Sequence, residues 1–193
     1  ARVACETMVK TGVAIVAGWP SATSGRPHNA VACVDAEGVL LNVYAKTHLF
    51  GDADRVQFTP GPALPTVFSY RGWRLGLLIC YDVEFPEPVR HLALLGADVV
   101  LVPTANMRAY DEVPTLLVPA RACENRVFVA YANACGREGD TAYGGLSTVA
   151  GPLGTVLAQA GRDTALSVVR LSAQALAEAR ASSPLPQRRT DLY

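Results

Sequence analysis

No apolar run in this sequence is long enough to span a bilayer, and no basic-then-apolar leader opens it, so no membrane span or secretory signal is expected. Charge of one sign is missing too: 17 Lys and Arg balance 17 Asp and Glu. A balanced chain has no net field to recruit nucleic acid or an anionic membrane. The basic residues are also scattered, with only Arg188 and Arg189 adjacent. Histidine is scarce. His28, His48 and His91 stand apart from Cys or Glu at ligand spacing, so neither a metal nor another cofactor is expected. The five cysteines are odd in number and form no C-x-x-C pair. That usage suits a reducing, cytoplasmic setting and gives little to a redox pairing of Cys80 with Cys123 or Cys135.

What the sequence has is apolar bulk. Half of its 193 residues are hydrophobic and only 18% are charged, enough for one domain over 1–193 with its own core. Gly12 to Gly18 (GVAIVAG) reads as a strand buried on both faces. Asn29 to Val34 and Val39 to Tyr44 read as a hairpin around Asp35-Ala36-Glu37-Gly38, with Lys46 just past its second strand. Phe58 to Pro65 is rich in Pro and Gly and predicts a loop; Trp73 to Ile79 predicts a strand that ends at Cys80. A helix is expected from Pro86 to about Leu95, stopped by Gly96, and another over Leu116 to Asn125. Further strands are expected over Val99 to Val102, Val127 to Ala132, Leu146 to Ala150, Gly154 to Leu157 and Ala165 to Leu171. Ser172 is the expected cap of a short helix reaching Arg180. Many strands with fewer helices between them point to an α/β sandwich rather than a doubly wound sheet.

Cys80 is the candidate nucleophile. It ends an apolar strand and precedes a helix, a turn that exposes a side chain at the sheet edge among backbone N–H groups. A nearby helix N-terminus and a cation would both favour the thiolate that attacks. Position alone leaves a buried structural cysteine as the commoner outcome. Asp82, Glu84 and Glu87 gather acidic charge behind Cys80, and no arginine adjoins it to clamp a substrate carboxylate.

The segment from Leu78 to Glu87, which holds C-Y-D and then F-P-E, resembles the nucleophile motif of the carbon-nitrogen hydrolase (nitrilase) superfamily. Tyr44 to Gly51 is similar to its lysine segment, and Phe58-Thr59-Pro60-Gly61 to its next loop. Arg121 to Asn125, Tyr131-Ala132-Asn133 and the tail Arg188 to Tyr193 follow in the same order, with Thr190 where Pro is usual. The resemblance implies a four-layer α-β-β-α sandwich, without a cofactor, assembled as a homo-oligomer. It implies Cys80 as nucleophile, Lys46 as catalytic lysine, and the Tyr81 backbone N–H as an oxyanion donor. Asp54 stands where relatives often carry a second glutamate, and Asp54, Glu84 and Asn106 are candidates for positioning substrate. Glu124 is expected to pair with Arg121 rather than act in catalysis.

The family's general-base glutamate lies well before the GVAIVAG-type strand, which only Ala1 to Thr11 precede here. Glu6 falls in the intervening helix and does not match. The domain is therefore expected to be incomplete at its N-terminus and, as these 193 residues, nearly inactive. The expected reaction of the complete protein is hydrolysis of a small aliphatic or ω-amino amide. The alternatives are hydrolysis of an N-carbamoyl amino acid or amine, and a non-catalytic relative used as a binding or assembly module.

Overall fold

A computed structural model describes residues 12–22 and 24–192. Cys5 and Glu6 lie outside the described residues.

The first strands make a three-stranded antiparallel sheet of β1 (Ile15–Ser21), β2 (His28–Val34) and β3 (Leu40–Ala45), in that order. The β2–β3 turn closes locally. The Asp35 side chain accepts from the N–H groups of Glu37 and Val39, and Gly38 takes the positive φ of 85° that the turn requires. β1 starts three residues later than expected and runs through Pro20. Its residues are part-exposed rather than buried on both faces, because among the described residues it pairs with β2 alone.

The second sheet has six strands ordered β11-β10-β7-β6-β5-β4. Its centre is parallel: β5 (Trp73–Leu77), β6 (Val99–Thr104) and β7 (Phe128–Asn133). β4 (Val67–Tyr70) flanks it on one side, and β10 (Thr148–Ala150) with β11 (Val156–Gln159) on the other, all antiparallel. β8 (Arg137–Glu138) and β9 (Thr141–Ala142) form a small separate hairpin. β6, at the centre, opens as a continuous Val/Leu run because both of its faces are covered.

Four α-helices are described: α1 (Gly51–Gln57), α2 (Pro86–Leu94), α3 (Val118–Asn125) and α4 (Ala173–Ala181). Pro86 opens α2 and Gly96, at φ 86°, follows its end, as the sequence predicts. α3 is led in by a π turn over Val113–Leu117, which accommodates Pro114 at its own first turn. The Ser172 hydroxyl accepts from Ala175 N–H and caps α4. No described helix is long and apolar enough to cross a membrane.

One apolar cluster joins the layers. Val31, Cys33 and Tyr44 of the first sheet, Leu77, Val100, Val102 and Val129 of the second, and Val89 and Leu92 of α2 all belong to it. Helices, six-stranded sheet and three-stranded sheet thus follow in the order of the expected sandwich. α2 seats closely: a Cβ at Gly76 would lie 2.7 Å from both δ-carbons of Leu92, so any larger residue there would push the Leu92 side chain aside. The expected strand over Ala165 to Leu171 is not formed. Its side chains Leu166 and Val168 are 91% and 88% exposed, and β-forming sequence without a ladder partner makes no sheet.

Leu92 is fully buried against the glycine gap, so Leu92→Ala leaves a cavity that the backbone of β5 cannot fill. The expected loss of unfolding free energy is ~2–5 kcal/mol, read by urea titration with an unchanged m-value. A loss well below 1 kcal/mol would contradict this packing.

Candidate active site

The site lies where parallel strands β5 and β6 end, facing the end of β3, the usual place for ligands in parallel sheets. A cavity of about 290 Å³ opens there, lined among others by Asn29, Lys46, Phe50, Asp54, Cys80 and Ala105. Lys46 follows β3 directly. Its N–H donates to Asn29 O at 2.8 Å, and its carbonyl accepts from Gly61 N–H at 2.8 Å. Gly61 has no room for a side chain: a Cβ there would lie 2.1 Å from the Ala45 carbonyl oxygen. The Phe58 to Gly61 loop therefore clamps the lysine backbone, the physical reason for a glycine at that place.

The Lys46 side chain is 2% exposed, so its ammonium is taken out of water. Its partner is Asp54 of α1, with Nζ to Oδ2 at 2.6 Å; the same oxygen accepts Phe50 N–H at 3.0 Å. An aspartate in α1 therefore reaches the lysine directly.

Cys80 sits just past β5, at the first residue of a 3₁₀ turn, Cys80–Glu84, and its φ is 48°. A left-handed conformation at a non-glycine residue is costly and characteristic of functional turns. Burial holds the thiol above its ordinary value, and the Glu84 charge adds to this in a smaller degree. The Lys46 charge and the N–H groups of Ala105 and Tyr81 pull the other way. Desolvation is the largest of these effects, so the thiol stays above its ordinary value although the cation and the N–H groups favour the thiolate as expected. The Tyr81 ring packs edge-on against Phe50 and Phe85, at 5.1 and 4.9 Å between centroids, and leaves its own N–H to the sulfur.

Residues 4–181 match the carbon-nitrogen hydrolase family. The chain belongs to this family. It is 48% identical over 184 residues to a protein of Pseudomonas protegens named "Hydrolase in pqqF 5'region", covering 94% of this chain and 65% of that one. With an (R)-stereoselective amidase of a Pseudomonas species it shares 43% identity over 169 residues, 87% of this chain and 61% of the relative. The chain thus spans under two thirds of the length of these two relatives. Its fold superposes on the crystal structure of an amidase from Nesterenkonia sp. with a TM-score of 0.90 at 38% identity, covering 99% of this chain and 70% of that one. A further structure of that amidase shows the acetamide moiety of fluoroacetamide added covalently at its active-site cysteine.

Within this carbon-nitrogen hydrolase chain the sequence-selected residues separate into two groups. Cys80, Lys46 and Asp54 share the cavity, with the Tyr81 N–H beside the sulfur. Asn106 is buried, but its amide donates to Tyr110 O and accepts from Met107 N–H, so it shapes the loop after β6 instead of facing the cavity. Glu84 is half-buried at the end of the Cys80 turn; it does not line the cavity, but its carboxylate lies close enough for its charge to act on Cys80 and to feel Lys46. Its carbonyl accepts from Arg121 at 2.7 Å, which also holds the Val83 carbonyl and pairs with Glu124 at 3.0 Å as expected. The Ala105 N–H had no signal in the sequence, since a backbone donor leaves no residue type to read; Phe50 lies within the lysine-segment block but is not among the sequence-selected residues. Among the described residues no group of three His, Cys, Asp or Glu could hold a metal ion.

Burial first, then the charge of Glu112, hold the Glu84 carboxyl above the ordinary range, with Lys46 opposing both. A raised carboxyl costs nothing below its unfolded value, and its destabilising effect develops as pH rises towards the folded one. Glu84→Gln removes that cost. The variant is expected to melt above wild type at about pH 7 and level with it below about pH 4. A variant that melts lower at neutral pH would show that the carboxylate is stabilising.

Proposed function

We propose that residues 1–193 are the larger part of one carbon-nitrogen hydrolase domain, and that the whole protein hydrolyses a small amide to a carboxylate and ammonia. The observation that carries this reading is Cys80, held in a left-handed turn and sharing one cavity with the buried, Asp54-paired ammonium of Lys46. The amidase names of the relatives and the covalent adduct on the Nesterenkonia cysteine support it.

In this reading Cys80 Sγ attacks the amide carbonyl carbon. The carbonyl π electrons move onto oxygen, where the Lys46 ammonium and the Tyr81 N–H hold the oxyanion. The tetrahedral intermediate collapses with cleavage of the carbon–nitrogen bond, ammonia leaves with an added proton, and a thioester remains. Water then attacks the thioester, and the acid departs with the thiol restored. Because burial holds the Cys80 proton on sulfur, attack needs a base to accept it. The superfamily resemblance assigns that base to a glutamate preceding the β1 region. Without it the 193 residues are expected to turn over ~10²–10⁴-fold more slowly.

Asp54 acts through Lys46, fixing the ammonium's place. The substrate is a small aliphatic or ω-amino amide: the cavity is small, and the carboxylate of Glu84 lies near Cys80. The protein is proposed to work in the cytoplasm as a homo-oligomer, for which a two-fold dimer is the simplest form.

Cys80→Ala in the full-length protein is expected to abolish amide turnover while leaving the fold intact. Ammonia release should be faster from 5-aminopentanamide than from pentanamide, and slowest from an N-carbamoyl amino acid. Turnover surviving Cys80→Ala would refute the nucleophile, and preference for the carbamoyl compound would favour the alternative hydrolase.

A further inference from the structure

Asp82 is the least exposed acidic side chain beside the site, at 0%. Among the described residues no lysine or arginine lies within ion-pair distance of it, and its one partner of that kind is His48, Nδ1 to Oδ1 at 2.9 Å. Its two oxygens nevertheless take five hydrogen-bond contacts. Oδ1 receives Thr47 Oγ1 at 3.2 Å, His48 N–H at 3.0 Å and His48 Nδ1 at 2.9 Å. Oδ2 receives Tyr44 Oη at 3.0 Å and Ile79 N–H at 3.1 Å. That fills a carboxylate's acceptor capacity of about four lone-pair sites.

The sources of these contacts matter more than their number. Tyr44, Thr47 and His48 bracket Lys46 on both sides along the chain. Ile79 precedes Cys80, and its carbonyl accepts the Asp82 N–H at 3.1 Å. Asp82 and Ile79 are therefore bridged twice across Cys80 and Tyr81, which holds Cys80 at its positive φ. The ring of His48 is fixed in turn by stacking on Phe85 at 4.2 Å, just beyond the same turn.

We propose that Asp82 is a positioning residue: one buried carboxylate locks the Cys80 turn to the Lys46 segment and so fixes thiol and ammonium relative to each other. The proposal rests on the reading of Cys80 and Lys46 given above. It does not place Asp82 in contact with substrate. Its effect passes through the geometry of the other two residues, where displacements of about 1 Å carry large rate penalties.

The test is alkylation of Cys80 by iodoacetamide, followed by peptide mass mapping so that Cys5, Cys33, Cys123 and Cys135 are scored separately. This readout uses the chain itself and needs no amide turnover. Asp82→Asn is expected to slow Cys80 alkylation at neutral pH roughly tenfold, and Tyr44→Phe and Thr47→Val severalfold each. A double-mutant cycle supplies the decision: in a Lys46→Met background, where the ammonium is already gone, Asp82→Asn should add little. If Asp82→Asn does not fold, Tyr44→Phe and Thr47→Val carry the same cycle. A merely structural carboxylate predicts the opposite, since loosening the turn exposes the sulfur. Folded variants that alkylate at the wild-type rate or faster, or that slow alkylation equally with and without Lys46, would overturn the proposal. Should Lys46→Met itself leave Cys80 alkylation unchanged, the catalytic role of Lys46 falls, and the role of Asp82 falls with it.

Discussion

An ammonium almost wholly removed from water governs this site. Taking such a charge inside costs several kcal/mol unless a partner and good geometry offset it. Asp54 supplies the partner at 2.6 Å, from a helix whose remaining residues bury nothing. The segment carrying the lysine is held on both backbone edges, by Asn29 and by Gly61. Several features with little meaning in isolation acquire one from this need. The short α1 exists to present Asp54, and the glycine in the Phe58 to Gly61 loop lets that loop close onto Ala45.

Cys80 meets the opposite problem. Its turn carries a left-handed non-glycine residue, a strain on the order of 1–3 kcal/mol, and its sulfur is desolvated. Both costs are borne locally. Arg121 grips the carbonyls at the end of the turn, and Asp82 grips its beginning. The result is a thiol kept protonated at rest but next to a fixed positive charge and two N–H groups. In the proposed reaction such a thiol is activated on demand by a base rather than permanently ionised, which would limit adventitious oxidation at rest.

Much of this was legible in the sequence. Apolar runs of Val and Leu located the central strands, Ser172 announced its helix, and the Asp35 to Gly38 turn announced its hairpin. That Cys80 and Lys46 would meet in one cavity was readable because strand ends and motif blocks coincide there. The rest failed for identifiable reasons. α1 has no apolar stripe, so periodicity could not find it; β4 is four residues long beside Pro65. The Ala165 to Leu171 run has strand composition but no described partner, and pairing decides strands. Asn106 was a pocket candidate through the family resemblance, yet its amide is spent on its own loop. Asp82 read as one of several helix-start charges, since burial of a carboxylate leaves no mark in composition.

The central claim, that the Lys46 ammonium acts on a desolvated Cys80 sulfur, is tested most directly by titrating the thiolate absorbance of Cys80. The other cysteines would be replaced by serine, and wild-type Lys46 compared with Lys46→Met. The account requires a midpoint above that of a free cysteine, ~8.5, moving higher still when the ammonium is removed. A midpoint below the free value, or coincident curves for the two proteins, would contradict it.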